Sequence, residues 1–511
     1  MNTRPLAILL SVLSVAAAIT FVVIAVIQLA APAELDYIEG VMMDHVARLA
    51  RGESIYVAPS LSFVALAYMP GIAWASSWLA MLFGPALWEP RLVSLLATLG
   101  LAAILWTIVR RETNSPTYGL AAAGLYLMGF GTAGGGHYIV SRPDSLMLCL
   151  AFGGLAVLRF KEGALGAIWA GLLLTLAFFT KQHAVWFGVA ALIHLILNDR
   201  PRWWIFALVW VVGCAGGFLL ASRLIGPWFS YYVWDVPAHW SELSPLRIQR
   251  YFGPGLFGML GPLSVTSLLS IGHPIRPWRG PSGLWAWAAL GAVGTGLLAT
   301  LDPSAWHHVF IPSMVALSVL GPISCDRLAK WFAAHEARVL RRAESVMFLV
   351  LSFQFIPLIY GLHLELPHRG AAQARDEFLT RLRALPGDVM VVDHGFYGSR
   401  AGRPATLQII AIGDLERSHG NRLVRREPHA LERIFDPLRG GSHRPALVTD
   451  DYLAKEGPLW AALSSAYQLS DSLGFTAPLG GLHGHTGAPR YVYLPVEPAR
   501  AEAETTRTSA P

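Results

Sequence analysis

The chain has 511 residues, of which 54% are hydrophobic and only 14% are charged. Soluble globular proteins contain about 25% charged residues, so the composition excludes an ordinary soluble protein and predicts an α-helical polytopic membrane protein. The net charge of +6 gives no reason to expect a nucleic-acid partner, because many of the arginines and lysines fall in short connections that the positive-inside rule assigns to the cytoplasm.

The first apolar segment, residues 6–30, contains no charged side chain. A helix needs about 20 predominantly apolar residues to cross the hydrocarbon core of a bilayer, so this segment predicts a transmembrane helix. The alternative is a cleaved signal peptide, since Arg4 precedes the segment and small residues follow it. The apolar run is longer than the roughly 7–15 residues of a signal-peptide core, which favours the span.

Ten further apolar segments predict spans, and with the first they make eleven. They are residues 92–109, 117–137, 145–158, 164–180, 184–197, 203–222, 252–271, 283–301, 305–324 and 343–362. An odd number of spans and a cytoplasmic N-terminus put the arginine-rich and lysine-rich connections in the cytoplasm and everything after residue 363 outside.

Residues 64–83 also lack charge, but a span there would reverse this orientation. We expect them to form a helix that lies in the outer interface, with Trp74 and Trp78 as interfacial anchors. This helix belongs to a long first outer loop, residues 31–90, of the membrane domain, residues 1–363.

After residue 363 the composition becomes polar, and no further span is predicted. Residues 373–385 predict an amphipathic helix. The runs Val389–Asp393 and Ala446–Asp450 are short, apolar and end in Asp, which favours buried strands of a small C-terminal α/β domain, residues 364–496. Residues 497–511 are polar and rich in Ala and Thr, and they predict a disordered tail.

The C-terminal domain is not expected to hold the catalytic centre. Its pairs Asp393-His394 and Asp450-Asp451 follow the apolar runs, where Asp commonly begins a turn. No Gly-x-Ser-x-Gly motif offers a nucleophile. We expect the domain to cover the membrane domain or to orient the acceptor above it.

Cysteine use gives no sign of a disulfide framework or a zinc site. Cys149, Cys214 and Cys325 each lie in or at the end of a predicted span. No two of them have the spacing of metal ligands.

Carboxylates in the first outer loop are the leading catalytic candidates. Asp36 and Glu39 follow the first span directly, where the chain leaves the membrane. The alternative for Glu39 is an acid in the first turn of a helix, favoured by the helix dipole. Asp36 precedes that predicted helix, so its side chain is freer to face a cavity.

Cations in the next outer connections can bind a phosphate. Lys181 lies between two spans with almost no loop around it, and Arg142 precedes Pro143 and Asp144. A phosphate at the outer interface would suit Lys181 as a point charge and Arg142 as a fork. The alternatives are that Lys181 extends to lipid headgroups and that Arg142 pairs with Asp144 across the turn. His307 and His308, at the start of the tenth span, can be substrate ligands or interfacial histidines hydrated by water.

The order of these motifs resembles the GT-C class of membrane glycosyltransferases, and within it the family 39-like proteins, which include protein O-mannosyltransferases and the lipid A aminoarabinose transferase. The resemblance covers roughly residues 1–330 and rests on order and placement, since each motif is short. In chain order the motifs are Asp36-Tyr-Ile-Glu39-Gly40, Gly52-Glu-Ser-Ile-Tyr56, Tyr68-Met-Pro70, Arg91-Leu-Val-Ser, Ser141-Arg-Pro-Asp144 and Phe178-Phe-Thr-Lys181-Gln182.

The resemblance implies an inverting transfer of a hexosyl or pentosyl group from a polyprenyl-phosphate donor to a lipid, glycan or protein acceptor. It implies an active site at the outer face of a bacterial inner membrane, with the C-terminal domain outside. An acid in the first outer loop would be the base. Many relatives carry a paired Asp-Glu there, whereas Ile38 precedes Glu39 here, so the base stays open between Asp36, ranked first, and Glu39.

The remaining roles follow from the same resemblance. Arg142, Lys181, Gln182 and His183 would hold the donor phosphate, while Asp144, His307 and His308 would contact substrate. Glu39 can instead bind the acceptor or a divalent cation, and no other cofactor is expected.

Two other functions stay open. A transporter or flippase of a lipid-linked saccharide would share the spans and the cations, but it would show ionisable residues near the bilayer midplane, whereas most charges here fall at span ends on one side. A non-catalytic relative would keep the fold, with the C-terminal domain as a module that binds a partner.

Overall fold

A computed structural model of the chain describes residues 3–272, 280–332, 337–440, 444–473 and 489–496. The predicted disordered tail, residues 497–511, lies outside the described residues. The described part is predominantly helical and ends in a small sheet. It therefore confirms the predicted fold class, a polytopic helical membrane protein with a C-terminal α/β unit.

The membrane domain is built from seventeen α-helices in the described ranges, three of them extended by short π-helical segments. In chain order they are α1 Arg4–Leu29, α2 Ile38–Ala50, α3 Gly71–Phe83, α4 Trp88–Thr113, α5 Pro116–Met128, α6 Asp144–Phe160, α7 Gly163–Thr180, α8 Val185–Asn198, α9 Arg200–Val211, α10 Gly217–Leu224, α11 Pro227–Ser230, α12 Val236–Ala238, α13 Pro245–Arg250, α14 Gly261–Gly272, α15 Leu284–Thr300, α16 Ile311–Phe332 and α17 Ala337–Phe353.

Five helical stretches among the described residues are long and apolar enough to cross a membrane, and a sixth is a pair bent by 94°. The five are Arg4–Leu29, Trp88–Thr113, Gly163–Thr180, Pro201–Leu224 and His307–Phe332, and the bent pair is Pro245–Met259 with Gly261–Leu269. Each of the eleven predicted spans contains a helix, but several of these helices are shorter than a full crossing. The count of eleven therefore stays a prediction.

Two helices have bounds that differ from the sequence prediction, for local reasons: one begins later and one ends earlier. The interfacial helix occupies Gly71–Phe83 instead of 64–83, because Pro70 disfavours helical geometry in the residue before it. The predicted span 117–137 stops being helical at Met128, where a glycine-rich segment follows and Gly135 and Gly136 adopt positive φ. Residues 129–143 consequently form an irregular loop.

The two exposed tryptophans of α3 agree with an interfacial position. Trp74 and Trp78 are 58% and 57% exposed, and their rings meet edge to face at 6.0 Å. Amphipathic aromatic rings concentrate where a membrane meets water.

Contacts between connections show that alternate loops gather at opposite ends of the helix bundle. Glu112, in the last turn of α4, forms an ion pair with Arg159 at the end of α6 (Nε to Oε1, 2.6 Å) and accepts from Trp285 at the start of α15 (2.9 Å). Arg202, at the start of α9, donates to the carbonyl of Leu158 at 3.1 Å. The basic connections thus meet at one end, and the connections with the candidate site residues meet at the other.

The C-terminal domain contains seven helices and four strands in the described ranges. The helices are α18 Ala371–Ala384, α19 Phe396–Arg400, α20 Ile409–Arg417, α21 Arg422–Arg426, α22 Ala430–Ile434, α23 Asp436–Gly440 and α24 Pro458–Ala461, and the strands are β1 Val389–Val391, β2 Ala446–Thr449, β3 Tyr467–Ser472 and β4 Tyr491–Pro495. The strand order is β1-β2-β4-β3, with β1 parallel to β2 and the other neighbours antiparallel.

The C-terminal domain shares one hydrophobic core with the first outer loop. Ile38 and Val41 of α2 belong to the same buried cluster as Met390 of β1 and Leu415 of α20. The backbone N–H of Leu407 donates to the carbonyl of Leu61 at 2.8 Å. This docking fixes the position of α20 over the membrane domain.

Candidate active site

A cavity of about 210 Å³ lies where the first outer loop, four further connections and α20 of the C-terminal domain meet. Its walls therefore come from segments that are far apart in the sequence. The lining residues are Tyr37, Ile38, Leu66, Tyr68, Arg142, Lys181, His183, Pro237, Trp240, Ser241, Leu298, Ala299, Asp302, Ser304, His308, Ile410, Asp414 and Arg417.

Asp36 and Arg142 form a buried ion pair at the cavity wall. Arg142 donates to Asp36 Oδ2 from Nη2 at 2.7 Å and from Nε at 2.9 Å. His137 Nε2 lies 3.1 Å from the same oxygen, and the backbone N–H of Ile38 donates to Oδ1 at 3.0 Å. Burial raises the pKa of the Asp36 carboxyl, but Arg142 and His137 outweigh burial and hold the pKa well below its usual range.

Glu39 is held in a separate network that does not line the cavity. Arg91 Nη2 and Nε donate to its two carboxylate oxygens at 2.6 and 2.9 Å, and both side chains are fully buried. The backbone N–H groups of Leu35 and Ser141 donate to the same carboxylate. With its oxygens occupied in this way, Glu39 anchors the first outer loop to the start of α4.

Lys181 and Asp144 form a second buried ion pair, with Nζ 2.7 Å from Oδ1 and side-chain exposures of 7% and 4%. Lys181 Nζ also lies 5.9 Å from the centre of the Tyr68 ring. The interpretation of Lys181 as a residue that reaches out to headgroups therefore does not fit its position. The suggested pairing of Arg142 with Asp144 is also wrong, because each has a partner from another connection.

The remaining predicted residues divide between the cavity and its support. His183 and His308 line the cavity, and in the described structure the buried Nδ1 atom of each has no hydrogen-bond partner. The Gln182 amide donates to the carbonyls of Ala67 (3.2 Å) and Val233 (2.8 Å), so it ties two connections together. His307 points elsewhere, with its Nδ1 3.1 Å from the carbonyl of Thr132.

The C-terminal domain contributes a carboxylate and a guanidinium that sequence reasoning missed. Asp414 and Arg417, three residues apart on α20, pair with each other, and Arg417 Nε lies 3.9 Å from Asp302 Oδ1. Burial, with a smaller contribution from Asp302, raises the pKa of Asp414 to about 7 although Arg417 opposes the shift. An acid and a base at this spacing are common on exposed helix surfaces, so nothing in the sequence singled them out.

The cavity combines cations suited to an anion with carboxylates suited to hydroxyl groups. Arg142 and Lys181 are buried and pre-positioned by Asp36 and Asp144. Such charge-assisted donors bind phosphate more strongly than neutral donors do. In the residues that the structure describes, no three or more His, Cys, Asp or Glu side chains form a group that could hold a metal ion.

Comparisons with known proteins agree with this architecture. Residues 67–226 match the model of the family described as dolichyl-phosphate-mannose-protein mannosyltransferase. The fold is similar to ArnT from Cupriavidus metallidurans in the apo state, with a TM-score of 0.59 and 15% identity over 94% of this chain and 97% of that chain. The undecaprenyl phosphate-bound structure of that protein gives a TM-score of 0.58 and 13% identity over the same shares of both chains.

A search of curated protein sequences gives no match. The family match includes the turn with Arg142 and the loop with Lys181, and the shared fold extends over nearly the whole chain. The chain is therefore an integral membrane protein whose fold is similar to that of ArnT and whose residues 67–226 are similar to the dolichyl-phosphate-mannose-protein mannosyltransferase family.

Proposed function

We propose that the protein is an inverting glycosyltransferase that moves a sugar from a polyprenyl-phosphate donor to an acceptor hydroxyl group at the outer face of a bacterial inner membrane. The observation that carries this proposal is the pair of buried cations, Arg142 and Lys181, on one cavity at the ends of the spans. The family model names a dolichyl-phosphate sugar, and one similar structure contains undecaprenyl phosphate, which supports a lipid-phosphate donor.

The two cations have complementary roles toward the donor phosphate. The guanidinium of Arg142 keeps N–H groups beyond the two that it gives to Asp36, and a planar fork suits two phosphate oxygens. Lys181, from the ion pair with Asp144, offers a compact positive charge. Together they would bind the phosphodiester and stabilise the negative charge that grows on the departing polyprenyl phosphate.

Asp36 is the proposed base. It would take the proton of the acceptor hydroxyl group while the acceptor oxygen bonds to the anomeric carbon and the bond from that carbon to the phosphate oxygen breaks. In the free protein, Arg142 stabilises the Asp36 carboxylate and makes it a weak base. A phosphate that draws Arg142 toward itself would weaken this stabilisation, so that donor binding and base activation are coupled.

Removing Lys181 tests the donor site. We expect Lys181→Ala to weaken farnesyl phosphate binding by about 10-fold or more, since a charge-assisted hydrogen bond contributes about 1.5–3 kcal/mol. Lys330→Ala is the matched control, because Lys330 also pairs with an Asp at 2.7 Å but lies away from the cavity with a 55% exposed side chain. A folded Lys181→Ala variant that binds as tightly as the control would contradict the assigned role.

A further inference from the structure

A second cavity adjoins the candidate active site on the side of the C-terminal domain. It has a volume of about 380 Å³ and shares Tyr37, Ile410 and Arg417 with the first cavity. Its lining also includes polar side chains of the C-terminal domain, such as Glu416 and His419. The two cavities are therefore neighbours, with Tyr37, Ile410 and Arg417 between them.

We propose that Asp414 and Arg417, which line the first cavity from α20, form the acceptor subsite and that the acceptor is a saccharide. This inference rests on the proposed function and specifies the acceptor that the function leaves open. It assigns the C-terminal domain a direct part in binding substrate.

The polar groups of this wall match neighbouring hydroxyl groups of a sugar ring. The Asp414 carboxylate pairs with Arg417, yet its side chain keeps 13% exposure, and it lines the cavity. The Arg417 side chain is 27% exposed and extends between Asp414 and Asp302. A carboxylate that accepts from one hydroxyl group beside a guanidinium that donates to the next is an arrangement suited to a vicinal diol.

Aromatic side chains provide the apolar part of the same subsite. Tyr37, Tyr68 and Trp240 all line the cavity that contains Asp414. The C–H face of a pyranose ring is apolar and packs against aromatic faces, while its edge carries the hydroxyl groups. Ligand sites commonly combine such apolar walls with a few placed polar groups.

The donor and the acceptor would be bound by different domains of the protein. The acceptor must approach the anomeric carbon from the side opposite the phosphate in an inverting displacement. Arg142 and Lys181 come from connections of the membrane domain, whereas Asp414 and Arg417 come from α20, which covers the cavity. Because all four side chains line the same cavity, a donor held by the first pair would have its sugar within reach of an acceptor held by the second.

The test compares Asp414→Asn and Arg417→Gln with the wild-type full chain in nanodiscs. The donors are polyprenyl phosphates that carry mannose, glucose or aminoarabinose, and the acceptors are extracted envelope glycolipid or a Ser/Thr-containing peptide. We expect transfer to the glycolipid, with an acceptor KM raised about 10-fold or more in either variant, because each loses a hydrogen bond with a charged group. The farnesyl phosphate Kd should change less than about 2-fold. Glu432→Gln is the control, since Glu432 is an exposed acid of the same domain.

Each outcome is distinguishable. Wild-type transfer to the glycolipid with an unchanged acceptor KM in Asp414→Asn would overturn the subsite and leave the proposed function intact. Transfer to the peptide alone would overturn the saccharide assignment. A wild-type protein that neither binds farnesyl phosphate nor transfers any of these sugars would refute the proposed function, and the acceptor subsite with it.

Discussion

At the residue scale, three buried ion pairs lie near the site, and only two of them reach the cavity. Two pairs, Asp36 with Arg142 and Asp144 with Lys181, contribute their cation to the cavity lining. The third, Glu39 with Arg91, is fully buried and does not line the cavity. The first two pairs can exchange partners with a ligand because one member of each reaches the cavity. The third pair has no such access and serves the fold.

Glu39 and Asp36 should therefore separate stability from activity. We expect Glu39→Ala to destabilise the protein by about 3–5 kcal/mol, because it leaves the Arg91 guanidinium buried without its countercharge. Asp36→Asn keeps the size of the side chain and should affect the fold less. Thermal unfolding of both variants in the same detergent measures the difference, and equal unfolding temperatures for Glu39→Ala and wild type would contradict the anchoring role.

The residue types of the site could be predicted from the sequence, but their pairing could not. Charges at span ends identified Asp36, Arg142, Asp144 and Lys181, because ionisable groups are rare there without a purpose. The partners are separated by 106 residues for Asp36 with Arg142 and by 37 for Lys181 with Asp144. Local reasoning could pair only Arg142 with Asp144, the nearest choice along the chain.

At the element scale, a buried cluster of titratable groups joins the C-terminal domain to the first outer loop. His394, after β1, contacts Glu34 of the loop through Nδ1 and Asp450, after β2, through Nε2 at 3.2 Å. Burial raises the pKa of Glu34 to about 7. Burial lowers the pKa of His394, but Asp450 and Glu34 outweigh it and raise the pKa well above its usual value.

This cluster predicts that the fold loses stability as pH rises. Both groups bind protons more tightly in the folded state than in the unfolded state, so the folded protein holds more protons and raising the pH favours unfolding. The contribution of His394 is complete below about pH 6.5 and is lost above it, while the cost of ionising Glu34 grows from about pH 4.5 to about pH 7. We expect the unfolding temperature to fall between about pH 6 and about pH 8.

His394→Gln is the variant that tests this cluster, and it should flatten the pH dependence because it removes the group whose proton binding is strengthened most by folding. The matched control is His429→Gln, which makes the same substitution at a histidine whose side chain is 75% exposed. An unfolding temperature that depends on pH equally in wild type, His394→Gln and His429→Gln would contradict the role of the cluster.

In the C-terminal domain, the sequence pattern predicted the buried strands but not an exposed one. Val389–Val391 and Ala446–Thr449 are fully buried apolar runs, and the sequence predicted both. The strand Tyr467–Ser472 was missed because five of its six residues are exposed and polar residues dominate it. An exposed strand shows no strong hydrophobic pattern in the sequence. Its pairing with β4 specifies the strand instead.

At the scale of the whole molecule, the predicted orientation has a direct test. Connections alternate between the two ends of the bundle, which supports a cytoplasmic basic end and an outer end with the candidate site. We expect reporter fusions at Glu112 and Asp199 to report the cytoplasm and a fusion at Gly370 to report the outside. A cytoplasmic signal at Gly370 would contradict both the orientation and the outward-facing site.

The central claim is that the first outer loop supplies the base for sugar transfer, and Asp36→Asn tests it most directly. The measurement is the rate of sugar transfer from a polyprenyl-phosphate donor by the variant and by wild type. We expect a loss of about 10²–10⁴-fold, as for other general bases, in a folded protein that still binds farnesyl phosphate. Near-normal turnover would contradict the mechanism, and a protein that moves the lipid-linked sugar without transferring it would favour the transporter.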